Sequence, residues 1–207
     1  MTTLIRTLLM LWSAGILLWH SELRAQNITR TDYIYLICRG TRQKVGLIAE
    51  KYNLKDSKST HVGIGFVQGK NLIIYHVTND SDGPSDLVIQ SLSGFKNPND
   101  LFYLSIWMCP SSAKEISRLK KILQSYSKQK IVFDTDFKAH NQKLYCSEFC
   151  AEVLEKLNPK KFKFSMKRQT LDFFSAKILG CDVLEYYPVD FFQSSVYFKK
   201  IFEQIKS

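Results

Sequence analysis

The chain has 207 residues, 45% of them hydrophobic and 23% charged, which excludes a disordered chain and an all-membrane protein and allows one domain with a real core. Its formal charge of +10 favours anionic surfaces such as phospholipid head groups or cell-wall polymers. The basic residues are scattered, as in Lys120-Lys121, Lys160-Lys161 and Lys199-Lys200, so they read as a solvated surface and not as a nucleic-acid patch.

Met1 to Arg6 carries one positive charge, Leu8 to Trp19 is almost wholly apolar, and Ser21 to Gln26 is polar. These are the three regions of a secretory signal peptide. The apolar run is short for a transmembrane helix. Residues 1–25 are therefore read as a signal peptide cleaved after Ala25, and 26–207 as one exported domain, periplasmic or secreted. A retained N-terminal anchor is the alternative. Removing Arg6, Arg24 and Glu22 takes the formal +10 to +9. Export also argues against nucleic acid as a partner.

Asp32 to Arg39 reads as a first strand. Gln43 to Tyr52 has helical spacing, and Asn53 to Thr60 is a polar loop. His61 to Val67 and Leu72 to Val77 are β-branched and aromatic runs joined by Gln68-Gly69-Lys70-Asn71, a hairpin signal. Leu87 to Ile89 and Leu101 to Met108 are further strands. Ser111 to Ser127 reads as a helix capped by Ser111 or Ser112, with Glu115 next and Ile116, Leu119, Ile122 and Leu123 as its apolar stripe. Ile131 to Phe137 leads to a second helix, Cys146 to Leu157, which Asn158-Pro159 ends. The tail holds Tyr186-Tyr187-Pro188-Val189-Asp190-Phe191-Phe192 and then a last amphipathic turn or two. The class is α+β with an antiparallel sheet and a few helices.

Cys146 is the candidate nucleophile. In the first turn of a helix it feels the positive end of the macrodipole, which is expected to lower its pKa and expose a thiolate. His61, at the head of a strand far away in sequence, is the candidate base. His76 lies on the adjacent strand and is the candidate orienting group. The Cys146 backbone N–H is placed to help hold an oxyanion. Each residue also has a plain structural reading: a buried inert thiol, a satisfied core histidine, and a structural histidine at position 76. Glu148 reads as a favourable dipole charge, Asp134 and Asp136 as a loop that positions the helix, and His140 as solvated. Cys146 and Cys150, four apart, share a helix face and offer metal ligands, but first-turn placement suits a nucleophile better. No metal and no cofactor is expected. Five cysteines in an exported chain leave at least one free thiol. Their pairing is open, with Cys38 and Cys181 candidates only by elimination.

The ordered pattern Thr60-His61-Val62-Gly63-Ile64, then Asp134-Thr135-Asp136-Phe137, then Leu144-Tyr145-Cys146-Ser147-Glu148-Phe149 resembles the YiiX/YaeF-type permuted papain-like amidases. These belong to the NlpC-like group, which also includes lecithin:retinol acyltransferase-like enzymes. The resemblance spans roughly Asp32 to Phe198. It implies a circularly permuted papain-like fold with the nucleophile-bearing helix packed on an antiparallel sheet. It also implies Cys146 as nucleophile and His61 as base. In YiiX-like members the residue at the position of His76 is commonly a glutamate, and a histidine there is more like the acyltransferase branch. The expected function is an exported cysteine hydrolase cleaving an amide or ester, with cell-envelope peptides, other amides or lipid esters as substrates. The alternatives are a lipid acyltransferase or phospholipase at a membrane surface, with which the +9 charge and the aromatics Tyr186, Tyr187, Phe191 and Phe192 are compatible, although a packed C-terminal segment is the favoured reading of those aromatics, and a non-catalytic binding module on the same scaffold.

Overall fold

The computed structural model describes residues 28–42, 49–79, 83–137 and 141–206. The expected signal peptide, most of the helix expected from Gln43 to Tyr52, and His140 lie outside these residues. Six strands form one sheet: β1 (Tyr33–Thr41), β2 (His61–Gln68), β3 (Asn71–Val77), β4 (Leu87–Ser91), β5 (Leu101–Pro110) and β8 (Lys199–Ile205). Their order is β4-β3-β2-β1-β5-β8, and every neighbouring pair is antiparallel. A separate ribbon pairs β6 (Lys167–Thr170) with β7 (Val183–Tyr186). The helices are α1 (Leu92–Phe95), α2 (Ala113–Ser127), α3 (Cys146–Leu157) and α4 (Phe173–Leu179).

Central β1 is buried along its whole length. Its side chains alternate between two cores, as a pleated strand requires. Ile34, Leu36 and Cys38 enter one cluster; Tyr33, Tyr35 and Ile37 enter the other. The first cluster also takes Ile116, Leu119 and Leu123 of α2 and Phe149, Val153 and Leu154 of α3, so these two helices cover one face. Those are the stripes that the helical spacing predicts. Ser112 and Glu115 form the expected capping box. The opposite face is closed by Ile28, by Phe95 of α1 and by Phe202 of β8.

The β2–β3 hairpin turns at Gly69, whose φ of 62° lies in the left-handed region. Gly63 permits a close approach one strand away. A Cβ built there would stand 2.7 Å from Ile74 Cγ2 and 3.2 Å from His76 Cβ. The bare backbone at position 63 leaves room for the rings of His61 and His76 to meet across the strands.

Besides the short α1, which the sequence reading left unassigned, two parts of the chain differ from expectation. The last amphipathic turn is instead β8, which pairs with β5 and sets Phe202 opposite Ile106. The open edge of β5 supplies backbone partners that an isolated turn lacks, and tertiary pairing decides the conformation. The span from Lys160 to Glu185, given no elements from the sequence, holds the β6–β7 ribbon and α4. Asp172 caps α4 by accepting from Phe174 and Ser175 N–H, and Gly180 ends it at φ 66°. Both are ordinary helix boundary signals that the sequence displays. No helix among the described residues is long and apolar enough to cross a membrane.

Candidate active site

Cys146 is the first residue of α3, and its N-cap, Tyr145, makes no side-chain capping bond. The first-turn N–H groups are therefore not closed off by a capping side chain. The helix is held in place from both sides. On the N-terminal side, Leu144 N–H donates to the Val132 carbonyl and Asp134 N–H donates to the Leu144 carbonyl. Buried Asp134 also accepts from Asp136 N–H and Asn141 Nδ2. The Asp134–Asp136 segment thus positions the helix. On the other side, Ser147 Oγ donates to the Tyr187 carbonyl at 2.7 Å, and Tyr187 N–H donates to Tyr145 Oη at 2.8 Å.

His61 opens β2, and with Cys146 it lines one cavity of about 100 Å³. Arg39 stands at the same wall, and Tyr52, Phe133, Leu184 and Tyr186 make much of the rest apolar or aromatic. His76 sits behind His61, 2% exposed, with its Nδ1 2.9 Å from His61 Nε2. That contact uses His61 Nε2, so Nδ1 is the ring nitrogen left for the sulfur. The far nitrogen of His76, Nε2, lies 2.8 Å from the Gln90 amide. Register explains the row: Ile64 faces Tyr75, and Ile74 faces Gln90. His61, His76 and Gln90 therefore step diagonally across β2, β3 and β4 on one face. Phe95 packs on both imidazoles, with ring centroids at 5.7 and 5.1 Å.

The electrostatics reverse one expectation. Burial pushes the Cys146 thiol up, and this outweighs the backbone at Val62 and Ser147 and the Arg39 cation, which favour the thiolate. The helix N-terminus does not leave a depressed thiol here, because the sulfur has lost its water. Burial, then Arg39 and His76, hold His61 well below the usual histidine range. Burial, then Arg39, push His76 down to about 3. The site at neutral pH holds a neutral thiol and a neutral imidazole on one cavity. Arg39 is the residue behind much of this that the sequence reading missed. Its guanidinium donates to the Phe95 carbonyl at 3.0 Å and stands 4.7 Å over that ring.

The cavity wall depends on two buried carboxylates, also missed. Fully buried Asp190 accepts from the backbone N–H groups of Leu54, Lys55 and Asp56 at 2.8, 2.6 and 3.0 Å. Asp56 accepts from Lys58 N–H, Ser59 Oγ, Tyr103 Oη and Gln193 Nε2. Together they fasten the 53–60 loop, which delivers His61, to the C-terminal segment. Asp190 belongs to the Tyr-Pro-Val-Asp-Phe-Phe tail, where Tyr186, Phe191 and Phe192 are buried in the core. Half-buried Tyr187 lines the cavity together with Tyr186.

Other candidates stay apart from the cavity. Cys150 is buried with its thiol directed at the Val62 carbonyl. All five cysteines are free thiols, and Cys38 and Cys181 are not joined, Cys38 lying in the sheet–helix core and Cys181 against the β6–β7 cluster. Glu148 stands in the first turn of α3, as the dipole reading has it, but it is buried. It is 6% exposed, and its Oε2 has no hydrogen-bond partner. Burial, then Glu152 and Asp134, push its carboxyl up to about 7 from 4.5. The folded protein therefore keeps a proton between those values that the unfolded chain has lost, and stability falls as pH rises through this window. Glu148→Gln is expected to raise the thermal midpoint at pH 8 and to change it little at pH 4.5. Thermal unfolding at the two values checks this; an equal shift at both would contradict it.

No family model matches the chain, and no curated protein matches it. Among solved structures it is similar to the metalloprotein yiiX from Escherichia coli O157:H7, described as DUF1105. The TM-score is 0.62 at 11% identity, covering 86% of this chain and 98% of that one. At that identity the likeness is one of fold: the α+β architecture is YiiX-like.

Proposed function

We propose that this chain is a thiol hydrolase of the circularly permuted papain-like kind, acting on an amide or ester outside the cytoplasm after loss of a signal peptide. What carries the reading is the placement of Cys146 and His61 on one cavity, with His76 2.9 Å behind His61. The Cys146 sulfur attacks the acyl carbonyl as His61 Nδ1 takes the thiol proton. A sulfur–carbon bond forms, the carbon–nitrogen or carbon–oxygen bond breaks, and the proton passes to the leaving group. Water then attacks the thioester, His61 accepts its proton and returns it to the sulfur, and the carboxylic acid departs. The N–H groups at the start of α3 are positioned to receive the oxyanion. The neutral pair described above suits proton transfer concerted with attack.

The neighbouring fold includes a metalloprotein. Among the described residues of this chain, no three His, Cys, Asp or Glu side chains are grouped to hold a metal ion. Both ring nitrogens of His76 are engaged by His61 and Gln90. These residues do not fit a metal centre, and no step runs through one.

Lipid esters form a second class of acyl donor. Phe173, Phe174 and Ile178 of α4 are 76%, 74% and 62% exposed, while Leu179 of the same helix lines the cavity. An exposed apolar face beside an apolar cavity suits an interfacial substrate. One experiment tests both classes. The mature chain is incubated with activated amides, activated esters and phospholipid vesicles, and its intact mass is followed. An acyl adduct on Cys146 is expected with at least one class and none in Cys146→Ala. Adducts or turnover that persist in Cys146→Ala end this mechanism.

A further inference from the structure

We infer that Gln90 sets the polarity of the His61–His76 pair, so that His61 is a base only when Gln90 turns its amide oxygen toward His76. This rests on the Cys146–His61 reading above and adds a positioning residue to it. A neutral imidazole carries one N–H and one acceptor nitrogen, so each contact in the row dictates the next. In the structure the Gln90 Nε2 faces His76 Nε2 at 2.8 Å. With Gln90 donating, His76 must carry its proton on Nδ1 and donate across 2.9 Å to His61 Nε2. His61 is then protonated on Nδ1, the nitrogen left for Cys146, and cannot take the thiol proton.

Turning the amide over exchanges oxygen and nitrogen in nearly the same space. Gln90 Oε1 then accepts from His76 Nε2–H, His76 Nδ1 accepts from His61 Nε2–H, and His61 Nδ1 is left with a free lone pair. The proton count is the same in both arrangements. Gly94 is placed to clear this side chain: a Cβ there would stand 3.0 Å from Gln90 Oε1 and 3.2 Å from its Cβ. The other groups against the pair are Arg39 from β1 and Phe95 from α1, and Cys146 of α3 lines the cavity that His61 also lines. None of these supplies an alternative acceptor for His76 Nε2, and desolvation of His76 keeps that ring neutral.

The test is the rate of iodoacetamide alkylation at Cys146 against pH, read by peptide mass with partly exposed Cys181 as internal reference. Gln90→Glu, ionised, can only accept, and it is expected to keep or raise the rate at pH 7 and to move the histidine limb of the profile upward. Gln90→Met can neither donate nor accept, and it is expected to slow alkylation about tenfold, the scale of one hydrogen bond. Nitrogen-15 shifts of the imidazoles are expected to show His61 protonated on Nε2. The inference falls if both variants match the wild type, if Gln90→Glu is as slow as Gln90→Met, or if His61 is protonated on Nδ1. His61→Ala separates the two levels. Alkylation unchanged by His61→Ala overturns the base itself and Gln90 with it. Alkylation slowed by His61→Ala but untouched at position 90 overturns only Gln90.

Discussion

Replacing His61 by alanine is expected to slow acyl transfer from an amide or ester by about 10²- to 10⁴-fold, the range that one positioned acid–base group supplies. The expectation follows from the direction of two shifts. Burial moves the Cys146 thiol above the ordinary range, so little thiolate forms unaided at pH 7. Burial, then Arg39 and His76, keep His61 neutral. A neutral base on the same cavity as a protonated thiol is productive only if the proton moves during attack, and removing the base leaves that proton without an acceptor. Alkylation of Cys146 in the wild type should accordingly rise with pH above the ordinary thiol value, because the thiol is raised. His76→Ala should cost less than His61→Ala, since it loosens the ring of His61 without removing it. Comparison of turnover and of Cys146 alkylation in the three proteins checks the order. Equal turnover in wild type and His61→Ala would sink the base assignment.

Asp190→Ala is expected to be strongly destabilising, by about 1–3 kcal/mol for each buried donor left unpaired. One carboxylate here meets three consecutive backbone N–H groups, at Leu54, Lys55 and Asp56. Alanine leaves those donors without a partner and opens a cavity beneath the 53–60 loop. Asp190→Asn keeps the volume and one acceptor oxygen and should cost less. The same loop leads into β2 and His61, so a surviving Asp190→Ala protein should also lose Cys146 reactivity. Chemical denaturation gives the first effect and alkylation the second. A loss below about 1 kcal/mol, the size of a single ordinary hydrogen bond, would show that Asp190 does not hold the loop.

Local signals in the sequence were enough for several elements. The Gln68–Asn71 turn, the Ser112–Glu115 capping box and the span of α3 from Cys146 to Leu157 rest on neighbouring residues alone. So did the pairing of His61 and His76 on adjacent strands, since a two-residue turn sets the register of a hairpin. β8 was not legible, because its strand state depends on the open edge of β5, nearly a hundred residues earlier in the chain. α4 was missed although Asp172 and Gly180 bracket it. The exposed Phe173, Phe174 and Ile178 hide the apolar face by which such a short helix is usually recognised.

At the site, residue type and order by themselves singled out Cys146, His61 and His76 as chemically capable groups. Tertiary structure decided their state. The helix dipole argued for a low thiol pKa at Cys146, but dehydration acts in the opposite direction and dominates, and dehydration is known only once the neighbours are in place. Glu148, read as a favourable dipole charge, is likewise a buried carboxyl pushed up by desolvation. Arg39, Gln90, Asp56 and Asp190 are unremarkable polar residues along the chain and gain their roles only where distant strands and loops converge. Local sequence determines periodicity, caps and turns because those energies act over a few residues. Burial, protonation and the partner of each buried polar group are set by contacts between segments far apart in the chain, and only the folded structure decides them.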